Sequence, residues 1–308
     1  MSAITRFVPQ FTAGQQRYHV NSTNTITGYL KCDGSVVAQA TYPKLYSQIG
    51  LIVDGNVNGT WTARTAGTTQ YISALTYGNS LYVYGAGSGV LSTSTNAITW
   101  TSRTSGIATD IVGLTYGNSL YVFVSTIGKV STSTDAITWT ARTSGRSENF
   151  RSVIYGGSLY VISGDSGAIS TSTNAITWTT RTSGTSSNIF TLTYGNSLYV
   201  YAGAGGVLRT STDAITWTSR TSGIITDINS VIYGNGIYVY AGAGGTIATS
   251  TNAITWTART SGTSSDIYSL SYSSGVYVYC GNGGALATST DAITWTARTS
   301  GTTGLLLS

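Results

Sequence analysis

Short runs of alternating apolar and polar residues fill most of this chain, and the runs recur in order. From Asn188 to Thr216 the text reads N-I-F-T-L-T-Y-G-N-S-L-Y-V-Y-A-G-A-G-G-V-L-R-T-S-T-D-A-I-T. Period-2 alternation of aliphatic and aromatic residues, punctuated by Gly, Asn and Asp, predicts strands rather than helices. Four strands are expected in this stretch: Ile189 to Tyr194, Leu198 to Tyr201, Val207 to Ser211 and Thr216 to Thr221. Gly195-Asn196 reads as a two-residue hairpin turn, because both residues tolerate positive φ. Ala202 to Gly206 supplies the next turn, and Thr212 to Ile215 the last, with Asp213 bonding its own backbone. The second strand is bulky on both faces, Leu and Val on one and Tyr on the other, as expected for a sheet covered on both sides.

This pattern repeats every 39 residues. Trp61, Trp100, Trp139, Trp178, Trp217, Trp256 and Trp295 mark the register, each followed three positions later by an arginine, Arg64, Arg103, Arg142, Arg181, Arg220, Arg259 or Arg298. Four strands in such a period form a unit that cannot bury its faces alone and must stack on copies of itself. First strands starting near Ile72, Ile111, Phe150, Ile189, Ile228 and Ile267 give an all-β, six-bladed β-propeller. Fourth-strand motifs number seven against six first strands. Either the Trp61 or the Trp295 segment is therefore surplus; Thr60 to Thr65 would close the ring if it joined the last blade, and a seven-bladed ring with a degenerate first blade is the lesser alternative.

Composition agrees with this fold. Of 308 residues, 38 are Gly and only 8% are charged, with one glutamate, Glu148, and lysine only at Lys31, Lys44 and Lys129. Long helices are excluded by the scarcity of helix formers. The net charge of +5 is spread along the chain and seven of the fifteen bases are the repeated arginines, which is not a nucleic-acid footprint. It leaves room for a mild attraction to anionic glycans or lipopolysaccharide. Cys32 and Cys280 are far apart and are expected as free thiols. No secretory signal pattern follows Met1 and no apolar run approaches 18 residues, so neither conventional secretion nor a membrane span is expected.

Ahead of the repeat, Gly28 to Gly50 reads G-Y-L-K-C-D-G-S-V-V-A-Q-A-T-Y-P-K-L-Y-S-Q-I-G. This resembles the phage tail-collar motif, G-[W/Y]-L-x-C-D-G followed by Y-x-x-L-[F/Y]-x-x-I-G. Gly28, Leu30, Cys32, Asp33, Gly34, Tyr42, Leu45, Tyr46, Ile49 and Gly50 match, and the pattern departs after Gly50. The resemblance implies a tail-fibre or baseplate-associated virion protein, made in the host cytoplasm, that forms a homo-oligomer, a trimer for this family, and joins other tail subunits through its N-terminal region. Residues 1–27 are expected as an arm or attachment segment, 28–58 as the collar-like segment and 59–308 as the propeller. The blade text is similar to that of phage tail propellers, with a weaker likeness to the Asp-box S-x-D-x-G-x-T-W of sialidase-type propellers. Asn96, Asp135, Asn174, Asp213, Asn252 and Asp291 alternate at that box, and because either residue serves a turn, a structural role is expected.

Catalysis is poorly provided for. A sialidase needs a Tyr–Glu pair, an acid and three converging arginines, and Glu148 is the only glutamate. Two-carboxylate hydrolysis would have to pair Glu148 with Asp110, Asp165, Asp227 or Asp266. His19 stands outside the repeats, so they hold no Ser-His-Asp or His-metal set. No metal and no cofactor is expected. The repeated arginines and the tyrosine pairs, such as Tyr82 with Tyr84 and Tyr199 with Tyr201, are expected to pack or bond between blades.

Comparison of the internal copies locates the variation in two loops. The fourth-to-first connection reads T-T-Q-Y, I-A-T-D, R-S-E-N, T-S-S-N, I-I-T-D and T-S-S-D, and the second-to-third turn varies as well. In an up-and-down blade both emerge on one face, and loops on a rigid scaffold are where recognition concentrates. The expected ligand-binding set is Arg146, Glu148, Arg151 and Asp165 in the third blade with Lys129 beside it, and Tyr71, Asp110, Asn188, Asp227, Asp266, Tyr268 and Asn282 around the ring. Such groups suit a carbohydrate, and protein docking also. The functions weighed are receptor binding by a tail fibre or tail tip, a structural adaptor or decoration protein, and a sialidase-like hydrolase.

Overall fold

A computed structural model of the chain describes residues 64–307. The chain divides into units of residues 1–59 and 60–308; the expected arm, collar-like segment, Trp61, Cys32 and His19 all lie outside the described residues.

The described residues form an all-β, six-bladed propeller, each blade a four-stranded antiparallel sheet whose strands follow one another in sequence order. The blades run from Ile72 to Thr104, Ile111 to Arg142, Phe150 to Thr180, Ile189 to Ser219, Ile228 to Arg259 and Ile267 to Ala297. The strands of blade four are Ile189–Gly195, Leu198–Gly203, Leu208–Ser211 and Thr218–Ser219. First strands of successive blades pack side by side, which gathers them at the centre and leaves the short fourth strands outermost. In blade six the fourth strand is Thr296–Ala297, after Trp295. The Trp295 segment therefore takes that place, and the Trp61 segment, the other candidate, falls largely outside the described residues.

Five hydrophobic clusters join the blades. In one, Val83 and Leu91 of blade one meet Ile111, Leu114, Tyr121 and Phe123 of blade two, and the same positions recur at the next four junctions. Among the described residues no such cluster joins blade six to blade one. Leu75 of blade one is 48% exposed, where its counterparts Leu114, Leu192 and Leu270 are 9%, 5% and 6%. Five packed junctions are thus described where a closed ring of six would have six.

Each packed junction also carries a hydroxyl bond: Tyr160 to the Gly117 carbonyl at 2.5 Å, Tyr199 to Gly156 at 2.6 Å, Tyr238 to Gly195 at 2.5 Å, Tyr277 to Gly234 at 2.6 Å and Tyr121 to Gly78. Burial pushes these phenols up, those of Tyr199 and Tyr238 to about 12. A second tyrosine of the same strand bonds the loop after the preceding fourth strand, as Tyr201 does with the Ser183 carbonyl at 2.7 Å and Tyr240 with Ser222 at 2.7 Å. It also stacks on the tryptophan of its own blade, with Tyr201 and Trp217 centroids 4.6 Å apart. Tyr199 and Tyr201 therefore bond between blades as expected, whereas of the blade-one pair Tyr84 bonds the Ala66 carbonyl and Tyr82 makes no interblade bond among the described residues.

The arginines do otherwise. Arg103, Arg142, Arg181, Arg220, Arg259 and Arg298 each donate from Nε to a threonine Oγ1 ten residues earlier, at 2.8 to 2.9 Å. Those threonines, such as Thr210 beside Arg220, lie on the third strand of the same blade, so the bond ties the short outer strand to its own sheet rather than to a neighbour.

Candidate functional site

One face of the disc carries the hairpins and the Asx turns, and these are nearly uniform. Asp213 Oδ1 accepts from the Ile215 and Thr216 N–H groups at 2.8 Å each and from Ser211 Oγ. Asn174 makes the same set. These bonds hold the Asp135 carboxyl down to about 2, and those of Asp213 and Asp291 below the usual range. The alternation of Asp and Asn is structural, as expected.

The opposite face carries the two variable loops, and the bonds between them show that they meet. Asp227, the last residue before the first strand of blade five, accepts from Gly205 N–H in the inner turn of blade four at 2.9 Å. Asp266 does the same for Gly244 at 2.7 Å, Asn188 for Ser166 at 2.9 Å, Asn149 for Ile127 at 3.0 Å and Asp110 for Ser88 at 2.8 Å. Each turn so capped holds its middle residue at positive φ, as at Ser166 with φ 54°. Asp110, Asn188, Asp227 and Asp266, expected as ligand groups, thus clamp one blade's turn from the next. Asn149, which the sequence reading passed over, has the same task. Tyr71 donates its hydroxyl to Asp110; this bond is the first cause raising the Tyr71 pKa and lowering that of Asp110.

The structure brings the blade-three charges together as pairs. Arg146 Nη1 lies 3.0 Å from Glu148 Oε1, with its other donors on Ser170 Oγ and the Ile169 carbonyl. Arg151 grips Asp165 with Nε at 2.8 Å and Nη2 at 3.1 Å. The backbone N–H of Glu148 itself, then the Arg146 charge and Ser147 N–H, lower the Glu148 pKa against the cost of burial. Burial opposes ionisation of Asp165, but bonds from Arg151 and Asn149 outweigh it and lower the pKa. Tyr268 lies 3.4 Å from Asp266, Asn282 Oδ1 accepts from Gly283 N–H in its own turn, and Lys129 follows the blade-two turn beside the half-exposed Ile127. Among the described residues no group of three or more His, Cys, Asp or Glu could hold a metal ion, and no helix is long and apolar enough to cross a membrane. Cys280 is a free thiol pushed up to about 11 by burial.

Sequence reasoning missed one feature of this face. The second residue of every first strand, at Ser73, Val112, Arg151, Phe190, Asn229 and Tyr268, has no cross-strand partner and is a β-bulge. The signal was present: of the 39 positions this one alone differs in all six blades.

Residues 18–62 match the model of the family described as Phage Tail Collar Domain. A segment similar to the phage tail-collar domain thus precedes the propeller in sequence. The match extends beyond the motif from Gly28 to Gly50 on both sides and runs through Trp61, so the pattern does not end at Gly50 and the first Trp-Thr pair falls inside the collar match. Collar and propeller together fit a tail-fibre component of a bacteriophage virion. No curated protein matches the chain. Among solved structures the chain is similar to YCF48 bound to D1 peptide, with a TM-score of 0.65 and 18% identity over 78% of this chain and 84% of that one. It is similar also to YCF48 from Cyanidioschyzon merolae, with 0.65 and 14% over 81% and 92%. The computationally designed Ika8 protein gives 0.58 and 13% over 80% and 92%. At such identities the likeness is one of fold.

Proposed function

We propose that the chain is a tail-fibre or tail-tip subunit whose propeller attaches the virion to a host surface glycan, lipopolysaccharide included, while the collar segment joins other tail subunits, as a homotrimer. The observation that carries this reading is the confinement of sequence variation to one face of an otherwise uniform disc. A scaffold role would leave both faces free to stay uniform, whereas recognition needs different groups at different blades.

The attachment is proposed to proceed without chemistry. A glycosidase acid needs a raised carboxyl pKa. Glu148 and Asp165 are each held by an arginine and shifted the other way. A propeller of this fold holding a peptide, as in YCF48 bound to D1 peptide, supports a binding role for the disc and keeps protein docking as the second reading. Labelled full-length chain applied to a panel of bacterial strains tests the proposal: binding that periodate treatment of the cells abolishes supports a glycan receptor, and absence of binding to every strain, with the chain retained in virions, leaves the adaptor role instead.

A further inference from the structure

We infer that the β-bulge residues form a saccharide site at the axial end of the variable face, centred on Arg151, Phe190, Asn229 and Tyr268 of blades three to six. This rests on the receptor reading above and names the part of the face that makes contact.

Three observations converge on the same position. First, each bulge interrupts the innermost strand one residue after the loop before it, so all six lie at the variable-face end of that strand, Val112 packed against the junction core and Ser73 bonded to the Ile111 carbonyl. A bulge leaves one residue out of the ladder and re-aims its side chain. Second, these side chains stay partly exposed while the residue before each, Ile111, Phe150, Ile189, Ile228 or Ile267, is fully buried in blades two to six. Aromatic rings such as Phe190 and Tyr268 would gain by burial and are instead left partly exposed. Third, the bulge is the only first-strand position that differs in all six blades, whereas Tyr stands at one position in every blade and Leu or Val at another. The register stays constant from blade to blade while the bulge residue changes in every one.

The four neighbouring residues fit a pyranose. Phe190 and Tyr268 stand two blades apart and offer ring faces for the C–H side of a sugar. Between them the Asn229 amide is fixed in orientation, since its Nδ2 donates to the Ile267 carbonyl at 2.9 Å, which frees Oδ1 to accept from a hydroxyl. Arg151 is locked on Asp165 through Nε and Nη2, so its Nη1 remains a positioned donor of little net charge. Aromatic rings beside a few fixed donors and acceptors suit a neutral or weakly acidic glycan.

The test uses the full-length chain on a printed array of bacterial surface polysaccharides, with whole-cell binding measured in parallel. Phe190→Ala and Tyr268→Ala should each weaken array binding by about tenfold or more, Phe190→Tyr should retain it, and melting temperatures should stay close to that of the parent. Wild-type-like binding by both alanine variants, with loss in Lys129→Ala after the blade-two turn or in Ile225→Ala in the loop before blade five, overturns the axial site and spares the receptor reading. Cell binding without binding to any polysaccharide overturns the ligand class. Absence of both array and cell binding overturns the receptor reading itself.

Discussion

Gly195 lies so close to Tyr233 of the next blade that a Cβ on it would stand 2.1 Å from the Tyr233 Cδ1. The glycine of the repeated Y-G-N therefore serves the blade junction. The hairpin itself is formed by Asn196 and Ser197, both at positive φ, while Gly195 still pairs with Leu198 in the ladder. The same approach recurs at Gly78, Gly117, Gly156 and Gly234. In blade six a serine, Ser273, replaces it, on the one blade for which no following junction is described.

Gly195→Ala should accordingly destabilise the propeller by about 1–3 kcal/mol or more, the usual cost of forcing atoms into a packed junction. Urea unfolding followed by tryptophan fluorescence measures it. A neutral result would mean that the tyrosine can swing aside.

Tyr199→Phe removes the hydroxyl that caps the Gly156 carbonyl. Leaving a buried carbonyl unsatisfied costs about 1–3 kcal/mol, and the loss should be similar for Tyr238→Phe at the next junction. Tyr82→Phe should cost less, because Tyr82 makes no such bond to a preceding blade among the described residues.

Acid should reach the Asx turns before the core. The Asp135 carboxyl has a folded pKa of about 2 against an unfolded value of about 3.9. A depressed folded pKa contributes stability above the unfolded value and loses it as pH falls from about 4 towards 2. Replacing Asp135, Asp213 and Asp291 with Asn should flatten the pH dependence of the melting temperature in that window and leave stability at pH 7 little changed, since Asn96, Asn174 and Asn252 already hold their turns with the same bonds.

Asp227→Asn should preserve the inner turn of blade four, because Asn188 clamps the turn of blade three in the same way. Asp227→Ala frees the Gly205 N–H and should cost about 1 kcal/mol, with faster amide exchange confined to Gly205 and its neighbours. Equal effects of Asn and Ala would point to a need for the charge rather than for the cap.

The strands were legible because their period and alternation are strict: each first strand begins at the residue the repeat predicts, from Ile72 to Ile267. Less legible was the purpose of residues whose partners are 22 or 43 positions away. Asp227 reads as a free carboxylate in sequence and is a clamp in space, while the glycine before Asn196 reads as a turn and is a junction. Local text shows what a residue could do on its own; the neighbouring blade decides which option is used. The bulge escaped because alternation slips by one residue there, yet the disagreement of all six copies at Phe190 and its equivalents marks the place.

Host recognition by the variable face is tested most directly by binding of face-swapped proteins to a susceptible strain. Replacing Arg146-Ser147-Glu148 by the Thr-Ser-Ser of blade four, together with Phe190→Ala and Tyr268→Ala, should abolish cell binding by the full-length chain, while Asn substitutions at Asp135, Asp213 and Asp291 on the other face should leave it intact. Undiminished binding of the first protein, or loss in the second with folding preserved, would contradict the account.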